Sequence, residues 1–375
     1  MSKKYRTGII GCGHISQRHV GGYLSSGRFE VIALSDLHEA AMSEMDQRHN
    51  IFTNHYTDIR EMLDKESLEV ISVCTWHAGH AMWTIAAAAA NPTAIICEKP
   101  MADTIGRAEE MLTACDRNKV KLVIGHQRRF LPAYELAQKF IATGAIGNVE
   151  MLTAYTGHGL PNWTTHLADL FRFMLSDDEC TWVMGAVERQ TDRYERNTRI
   201  EDRAIATFGF KCGAQGVVFS DMTSHQGQGA KVYGSEGMLD VEETKIKIFN
   251  KDTAGKWNTH VPDGKFFKHD EPAFEYVESF AHQADELADW IEDKSEHRGQ
   301  AMNGYKALEM IHGVYESARC HEKVVLPLQT RKNSLELMID SGHIPVTRPG
   351  RYETRAKRLR GEEMASDDPD TNPII

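Results

Sequence analysis

The chain has 375 residues, 41% of them hydrophobic and 26% charged. That balance describes a globular protein of two or three domains and excludes a disordered chain. Acidic side chains outnumber basic ones 54 to 43, a net charge of −11, which excludes a general nucleic-acid binder because such a protein needs a basic face to displace counterions.

The N-terminus carries no apolar leader, and no apolar run approaches the ~20 residues that cross a bilayer, so no membrane partner is expected. Seven cysteines are scattered with no C-x-x-C pair. Reduced thiols in a cytoplasmic protein are the expectation.

Strand-like runs at 7–11, 30–35, 70–75, 94–97 and 121–125 alternate with helical stretches at 15–24, 39–48, 58–64, 78–90 and 104–118. Alternation of this kind predicts parallel strands with crossover helices, a doubly wound sheet. After Pro132 the rhythm changes. One helix over 132–142 ends at Gly144, and strand-like runs then follow at 148–156, 180–190, 202–211, 214–223, 229–234, 237–241 and 244–250. Tight turns between consecutive strands predict a large antiparallel sheet. Helices return at 274–293 and 303–319.

The fold class expected is therefore α/β. A dinucleotide-binding domain over 1–126 precedes an α/β domain over 127–330 built on a large open, mostly antiparallel sheet. An arm and tail occupy 331–375, with a basic stretch at 351–360 and a disordered run at 366–373.

Gly11-Cys12-Gly13-His14-Ile15-Ser16 joins the first strand to the first helix. Gly11 permits a tight turn, Gly13 permits backbone approach to a pyrophosphate, and the helix opening at His14 and Ile15 supplies N–H donors and a positive dipole end. Ser16 stands where the Rossmann fingerprint prefers Gly or Ala. The second strand ends at Asp36, whose carboxylate suits ribose hydroxyls and repels a 2′-phosphate. Leu37-His38 offers no arginine to hold such a phosphate, so NAD is expected over NADP.

Cys97-Glu98-Lys99-Pro100 resembles the E-K-P motif of the Gfo/Idh/MocA family of oxidoreductases. Val73-Cys-Thr75 and His80 before it, Arg129-Phe130 and His166-Leu-Ala-Asp169 after it, and Tyr315 to Arg319 near the end resemble that family's pattern in order and spacing. The resemblance spans residues 7 to about 327. It implies a Rossmann domain followed by an open-sheet domain, a nicotinamide cofactor bound beside Thr75, His80, Glu98 and Lys99, and a homo-oligomer, dimer or tetramer. It implies oxidation or reduction of a hydroxyl on a sugar, cyclitol or related polyol.

Lys99 also has a reason of its own. It follows an apolar strand at the end where open α/β sheets bind ligands, and an ammonium there can stabilise alkoxide character on a hydroxyl. A surface lysine paired with Glu98 is the plainer alternative. His166 borders the helical stripe Leu167, Leu170, Phe171 and Met174, and a neutral imidazole suits removal of a hydroxyl proton. Asp169 either orients it or solvates the helix.

Many family members carry an Asp four residues before this histidine. This chain has Asn162, which can position a hydroxyl but not take its proton. His158 and Trp163 in the same loop, with Gln127 and Arg128 beyond the 121–125 strand, complete the candidate substrate contacts. Trp163 reads equally as a stacking platform or as core. The expected activity is NAD-dependent oxidation of a secondary hydroxyl of a sugar, glycoside or cyclitol. An NAD-retaining glycosidase and a non-catalytic dinucleotide-binding regulator are the alternatives.

Overall fold

Short apolar runs that alternate with helices through the first third of the chain align in parallel, since each helix returns the chain to the same end of the sheet. The structure, a computed structural model, describes residues 3–223, 229–262 and 277–347, which fall into two units. The stretches expected to be basic (351–360) and disordered (366–373) lie outside the described residues.

The first unit comprises 3–102, 107–131 and 277–304. Its strands are β1 (Tyr5–Ile10), β2 (Phe29–Ser35), β3 (Asn54–Tyr56), β4 (Val70–Val73), β5 (Ala94–Cys97) and β6 (Lys121–Ile124). The helices between them are α1 (His14–Ser26), α2 (Glu39–His49), α3 (Ile59–Lys65), α4 (His77–Ala89) and α5 (Ile105–Arg117). All six strands are parallel, in the order β3-β2-β1-β4-β5-β6. This is the Rossmann order, with its reversal between β1 and β4. Strands β4 and β5 are buried at every position, as expected of a sheet covered on both faces.

The helix Val277–Ile291 (α8 by chain position) also belongs to this unit, although the sequence reading put it in the second domain. Polar groups at the end of α1 explain its place. Arg28 pairs with Asp289 and with Glu292, each at 2.7 Å, and the Ser26 hydroxyl donates to Asp285. Sequence distance hides such pairs.

The second unit comprises 103–106, 132–262 and 305–347. It contains α6 (Pro132–Ala142), β7 (Val149–Thr156), α7 (Thr165–Met174), β8 (Cys180–Glu188), β9 (Tyr194–Glu195), β10 (Thr198–Arg199), β11 (Arg203–Phe210), β12 (Gln215–Ser220), β13 (Ala230–Gly234), β14 (Gly237–Val241), β15 (Ile246–Asn250) and β16 (Asn258–His260). Then come α9 (Ala301–Cys320), β17 (Val324–Val325) and α10 (Ser334–Asp340).

Nine strands form one sheet in the order β16-β15-β14-β13-β7-β12-β11-β8-β17. It is antiparallel except where β7 meets β12. That parallel pair departs from the hairpin expectation because β7 and β12 are not consecutive; α7, β8 and β11 intervene.

Alternation sorts the sheet's faces. Leu152, Ala154, Ala204, Ala206, Phe208 and Val218 point to the buried side. Phe171 of α7 packs on Gly216, and Val314 of α9 on Gly185. The arm and tail expected over 331–375 fold back onto the second unit as far as they are described, to residue 347. Ser334 donates to Glu316, Glu336 pairs with Arg199 at 3.0 Å, and the Thr347 amide bonds the Gln190 carbonyl.

Candidate functional site

The candidate cofactor residues of the first unit follow the carboxyl ends of parallel strands, all but His80 within five residues of the strand end and His80 within α4. Gly11 leaves β1 with a φ of +89°, and a Cβ there would meet the Cys74 backbone at 2.9 Å. Only glycine fits the turn. Gly13 caps α1 with no side-chain hydrogen bond, and a Cβ built on it meets nothing within 4 Å. Space therefore lies over an uncapped helix N-terminus with no acidic residue in its first turn, an arrangement that fits a pyrophosphate. His14 and Ile15 open that helix. Ser16, the departure from the fingerprint, is fully buried and turns its hydroxyl back to the Gly13 carbonyl at 2.6 Å.

Asp36 is held in two places. One carboxylate oxygen accepts from the Cys12 amide at 2.8 Å and the other from the His38 amide at 2.9 Å. The carboxylate thus borders the glycine loop, and the next side chain, Leu37, is 83% exposed and uncharged. These residues fit the ribose of NAD.

Beyond β5, Lys99 is only 6% exposed, so the surface-lysine alternative fails. Its surroundings grip the backbone from two sides. Glu98 is buried and accepts from His19 Nε2 at 3.1 Å and from the Lys99 amide at 3.2 Å. His19 Nδ1 lies 3.1 Å from the Ser72 hydroxyl, which in turn lies 2.7 Å from the Tyr23 hydroxyl. Burial pushes the Glu98 carboxyl up, but the hydrogen bond and charge of His19, aided by Lys99 and His80, prevail and hold it below the usual range.

On the other side, His80 on α4 places Nδ1 2.6 Å from the Pro100 carbonyl and Nε2 2.9 Å from the Thr75 carbonyl. Burial draws this ring toward neutrality, opposed by both carbonyls. A neutral ring has one N–H and donates to one of these carbonyls; the shorter contact is to Pro100, beyond β5. Sequence reasoning missed His19, Ser72 and Tyr23, since nothing in their spacing reveals Glu98 as their neighbour.

Gln127 and Arg128 lie in a single 3-10 turn, Gln127–Phe130, after β6; Gln127 is half-buried and Arg128 buried. Arg129 is structural. It donates to the Arg298 carbonyl while Arg298 donates to its own.

In the second unit, the segment from β7 into α7 carries the other candidates. Gly159, with φ +79°, leads into a π-helix over Leu160–Thr164 that continues directly into α7. Such wide turns concentrate at functional positions. Three successive backbone amides of this loop are taken by carboxylates. His158 and Gly159 donate to Asp221 at 3.0 and 2.8 Å, and Leu160 donates to Glu201 at 2.6 Å. Arg193 bonds Asp221 at 3.1 Å, and the Tyr315 hydroxyl bonds Glu201.

Asn162, His166 and Asp169 are all buried. Positions 162 and 166, and 166 and 169, are one helical turn apart and share a face. Trp163 is half-buried and its ring centroid lies 4.7 Å from that of His158. Asn162 donates to Glu195 at 2.8 Å. Glu195, Asp221 and Glu201 were not legible as site residues.

Among the described residues, no group of three or more His, Cys, Asp or Glu side chains is placed to hold a metal ion, and no helix is long and apolar enough to cross a membrane. None of the seven cysteines forms a disulfide.

A parallel sheet in Rossmann order, a glycine turn over an uncapped helix and a carboxylate at the next strand end define a nicotinamide-dinucleotide enzyme. Residues 5–126 match the oxidoreductase family with an NAD-binding Rossmann fold, and residues 153–240 match the GFO/IDH/MocA C-terminal domain. The chain belongs to the Gfo/Idh/MocA family and is an NAD-dependent oxidoreductase.

It is similar to D-apiose dehydrogenase of Paraburkholderia graminis, 28% identical over 272 residues that cover 67% of this chain and 71% of the relative. It is also similar to inositol 2-dehydrogenase of Rhizobium meliloti, 24% identical over 328 residues covering 83% and 96%. Among solved structures, levoglucosan dehydrogenase in complex with NADH and levoglucosan shares the fold at a TM-score of 0.76. Its identity is 20%, with 87% of this chain and 100% of that chain covered.

Proposed function

We propose that the protein oxidises a secondary hydroxyl of a sugar, glycoside or cyclitol, with Lys99 and His166 at the reacting hydroxyl. The observation that carries this is the setting of Lys99. A lysine buried at a strand end, with its backbone held by Glu98 and its neighbour Pro100 held by His80, has a reason other than solvation to be there. The names of the relatives, dehydrogenases of apiose and inositol, support a polyhydroxylated substrate.

Gly11, Gly13, His14 and Ile15 bind the pyrophosphate, Asp36 the ribose, and Thr75, His80, Glu98 and Lys99 border the nicotinamide. NAD, when bound, supplies the hydride acceptor. Lys99 donates to the substrate oxygen and stabilises its alkoxide character. His166 takes the hydroxyl proton, which a neutral imidazole can do near pH 7. Asn162, His158, Trp163, Gln127, Arg128 and Asp169 contact or orient the sugar.

The test is a polyol panel containing myo-inositol, D-apiose and levoglucosan, read as NADH formation. Lys99→Ala and His166→Ala are each expected to lose ~100-fold or more in kcat while still binding NAD. Full turnover in both variants overturns the assignment. Nucleotide released by denaturing the purified protein is expected to be far below stoichiometric, as for a cofactor that exchanges each cycle.

A further inference from the structure

We propose that Asp221 and Glu201 are positioning residues that fix the start of the substrate loop, and that Asp221 needs both carboxylate oxygens for this while Glu201 needs one. The inference rests on the reading of residues 158–166 as the substrate site. Asp221 follows β12, and Glu201 stands just before β11, at the same end of that antiparallel pair. The loop itself leaves β7, which pairs with β12 on its other side. Three adjacent strand ends thus carry the loop and both carboxylates, and the Asp221 amide bonds the Thr156 carbonyl at 2.8 Å.

His158 and Asp221 hold φ of 61° and 54°, in the left-handed region, and Gly159 holds 79°. Backbone of this kind persists where surrounding contacts fix it. One Asp221 oxygen accepts from the His158 amide at 3.0 Å and from Arg193 Nη2 at 3.1 Å. The other accepts from the Gly159 amide at 2.8 Å and from the Ser220 hydroxyl at 3.2 Å. Arg193 is buried, and its Nη1 donates to the Glu201 and Asp202 carbonyls, each at 3.2 Å. One guanidinium therefore links the two segments that bear the carboxylates.

Glu201 is fully buried. One of its oxygens accepts from the Leu160 amide at 2.6 Å and the other from the Tyr315 hydroxyl. A backbone N–H and a guanidinium only donate, whereas a phenol hydroxyl donates or accepts. Each Asp221 oxygen thus faces a group that cannot reverse. A carboxamide at 221 would set its NH2 against a backbone N–H whichever way it turned. At 201 a carboxamide fits, because its oxygen keeps the Leu160 amide and its NH2 donates to a reversed Tyr315 hydroxyl. Burial pushes the Glu201 carboxyl up, opposed by the Tyr315 hydrogen bond, so burial does not favour a charge at that position. Leu160 opens the π-helix that carries Asn162 and Trp163 and runs on into His166. Three consecutive amides fixed at its start set its direction, and with it the placement of those candidate substrate contacts.

The test uses the full-length protein saturated with NAD and the panel polyol that the wild type oxidises fastest. Asp221→Asn is expected to cost ~10-fold in kcat/KM, mostly in KM, with NAD affinity retained. In hydrogen exchange read by mass spectrometry, residues 158–160 are expected to lose ~10-fold in protection while the strands of both units keep theirs. Glu201→Ala is expected to behave alike, and Glu201→Gln to recover most of both losses. Adding Tyr315→Phe to Glu201→Gln leaves the carboxamide NH2 unpaired and is expected to cancel the recovery.

Unchanged kcat/KM in Asp221→Asn overturns the proposal, even with faster exchange at 158–160. So does a Glu201→Gln variant as impaired as Glu201→Ala or, should Glu201→Ala not fold, as impaired as Asp221→Asn. Protection lost across the whole second unit in Asp221→Asn makes that residue part of the fold and overturns the proposal as well. If the panel shows no turnover, or if His166→Ala keeps full turnover, the reading of the site fails instead, and the inference falls with it.

Discussion

Glu98 shows how one buried side chain can hold the backbone of its neighbour. Its carboxylate accepts from His19 and from the Lys99 amide, so the backbone at Lys99 is tied to a second buried side chain. Removing the partner of a buried carboxylate leaves an uncompensated charge, which costs about 3 kcal/mol or more. His19→Leu is expected to lower stability by about 3 kcal/mol in urea denaturation. Little change in unfolding free energy would mean that the His19–Glu98 contact contributes little. Room for Glu98 also depends on Gly125, where a Cβ would lie 2.8 Å from the carboxylate. Asp36 repeats the pattern at the end of β2, since the Cys12 and His38 amides orient its carboxylate beside the glycine loop.

At the scale of elements, two histidines show what burial does to proton binding. His297, after α8, is satisfied only as a neutral ring. Nε2 donates to the Gln283 carbonyl at 3.1 Å, and Nδ1 accepts from the Gly299 amide at 2.9 Å. Burial pushes its pKa down to about 3, and that of His312 in α9 down to about 4. Both folded values lie below the unfolded value of ~6.5, so the unfolded chain binds more protons in acid. Stability is therefore complete above pH ~6.5 and falls as the pH drops toward 4. The slope is about 1.4 kcal/mol per pH unit for each ring. Urea melts between pH 7.5 and 5 are expected to show that fall, and His312→Leu is expected to flatten it. An equal slope in the variant would assign the acid sensitivity elsewhere.

For the whole molecule, the open face of the nine-stranded sheet carries the case for assembly. Tyr155, Phe219 and Ile205 lie side by side on β7, β12 and β11; on β8 Ala186 pairs with Ile205, and Met184, two residues along the same face, pairs with Thr207. Tyr155, Ile205 and Met184 are exposed, Met184 by 55%. We propose that a second copy of the chain covers this band, because a row of apolar side chains of that length is costly to leave in water. Sedimentation is expected to show a dimer or tetramer, and Ile205→Arg to shift it toward monomer with its circular dichroism intact. A wild-type monomer at micromolar concentration would refute the assembly.

The sequence by itself determined the alternation of strands and helices, the parallel sheet and the glycine loop with Asp36. These are local signals: period, turn chemistry and a motif between a strand and a helix. It also singled out Lys99 and His166 as candidates, through the motifs around them. It did not reveal the parallel pairing of β7 with β12, the membership of α8 in the first unit, or the hairpin at 194–199 that lies outside the main sheet. Those depend on partners far apart in the chain. His19 beside Glu98 and Glu195 beside Asn162 were hidden for the same reason. A buried charge requires a neighbour of the right chemistry, and only the tertiary structure decides which distant residue supplies it.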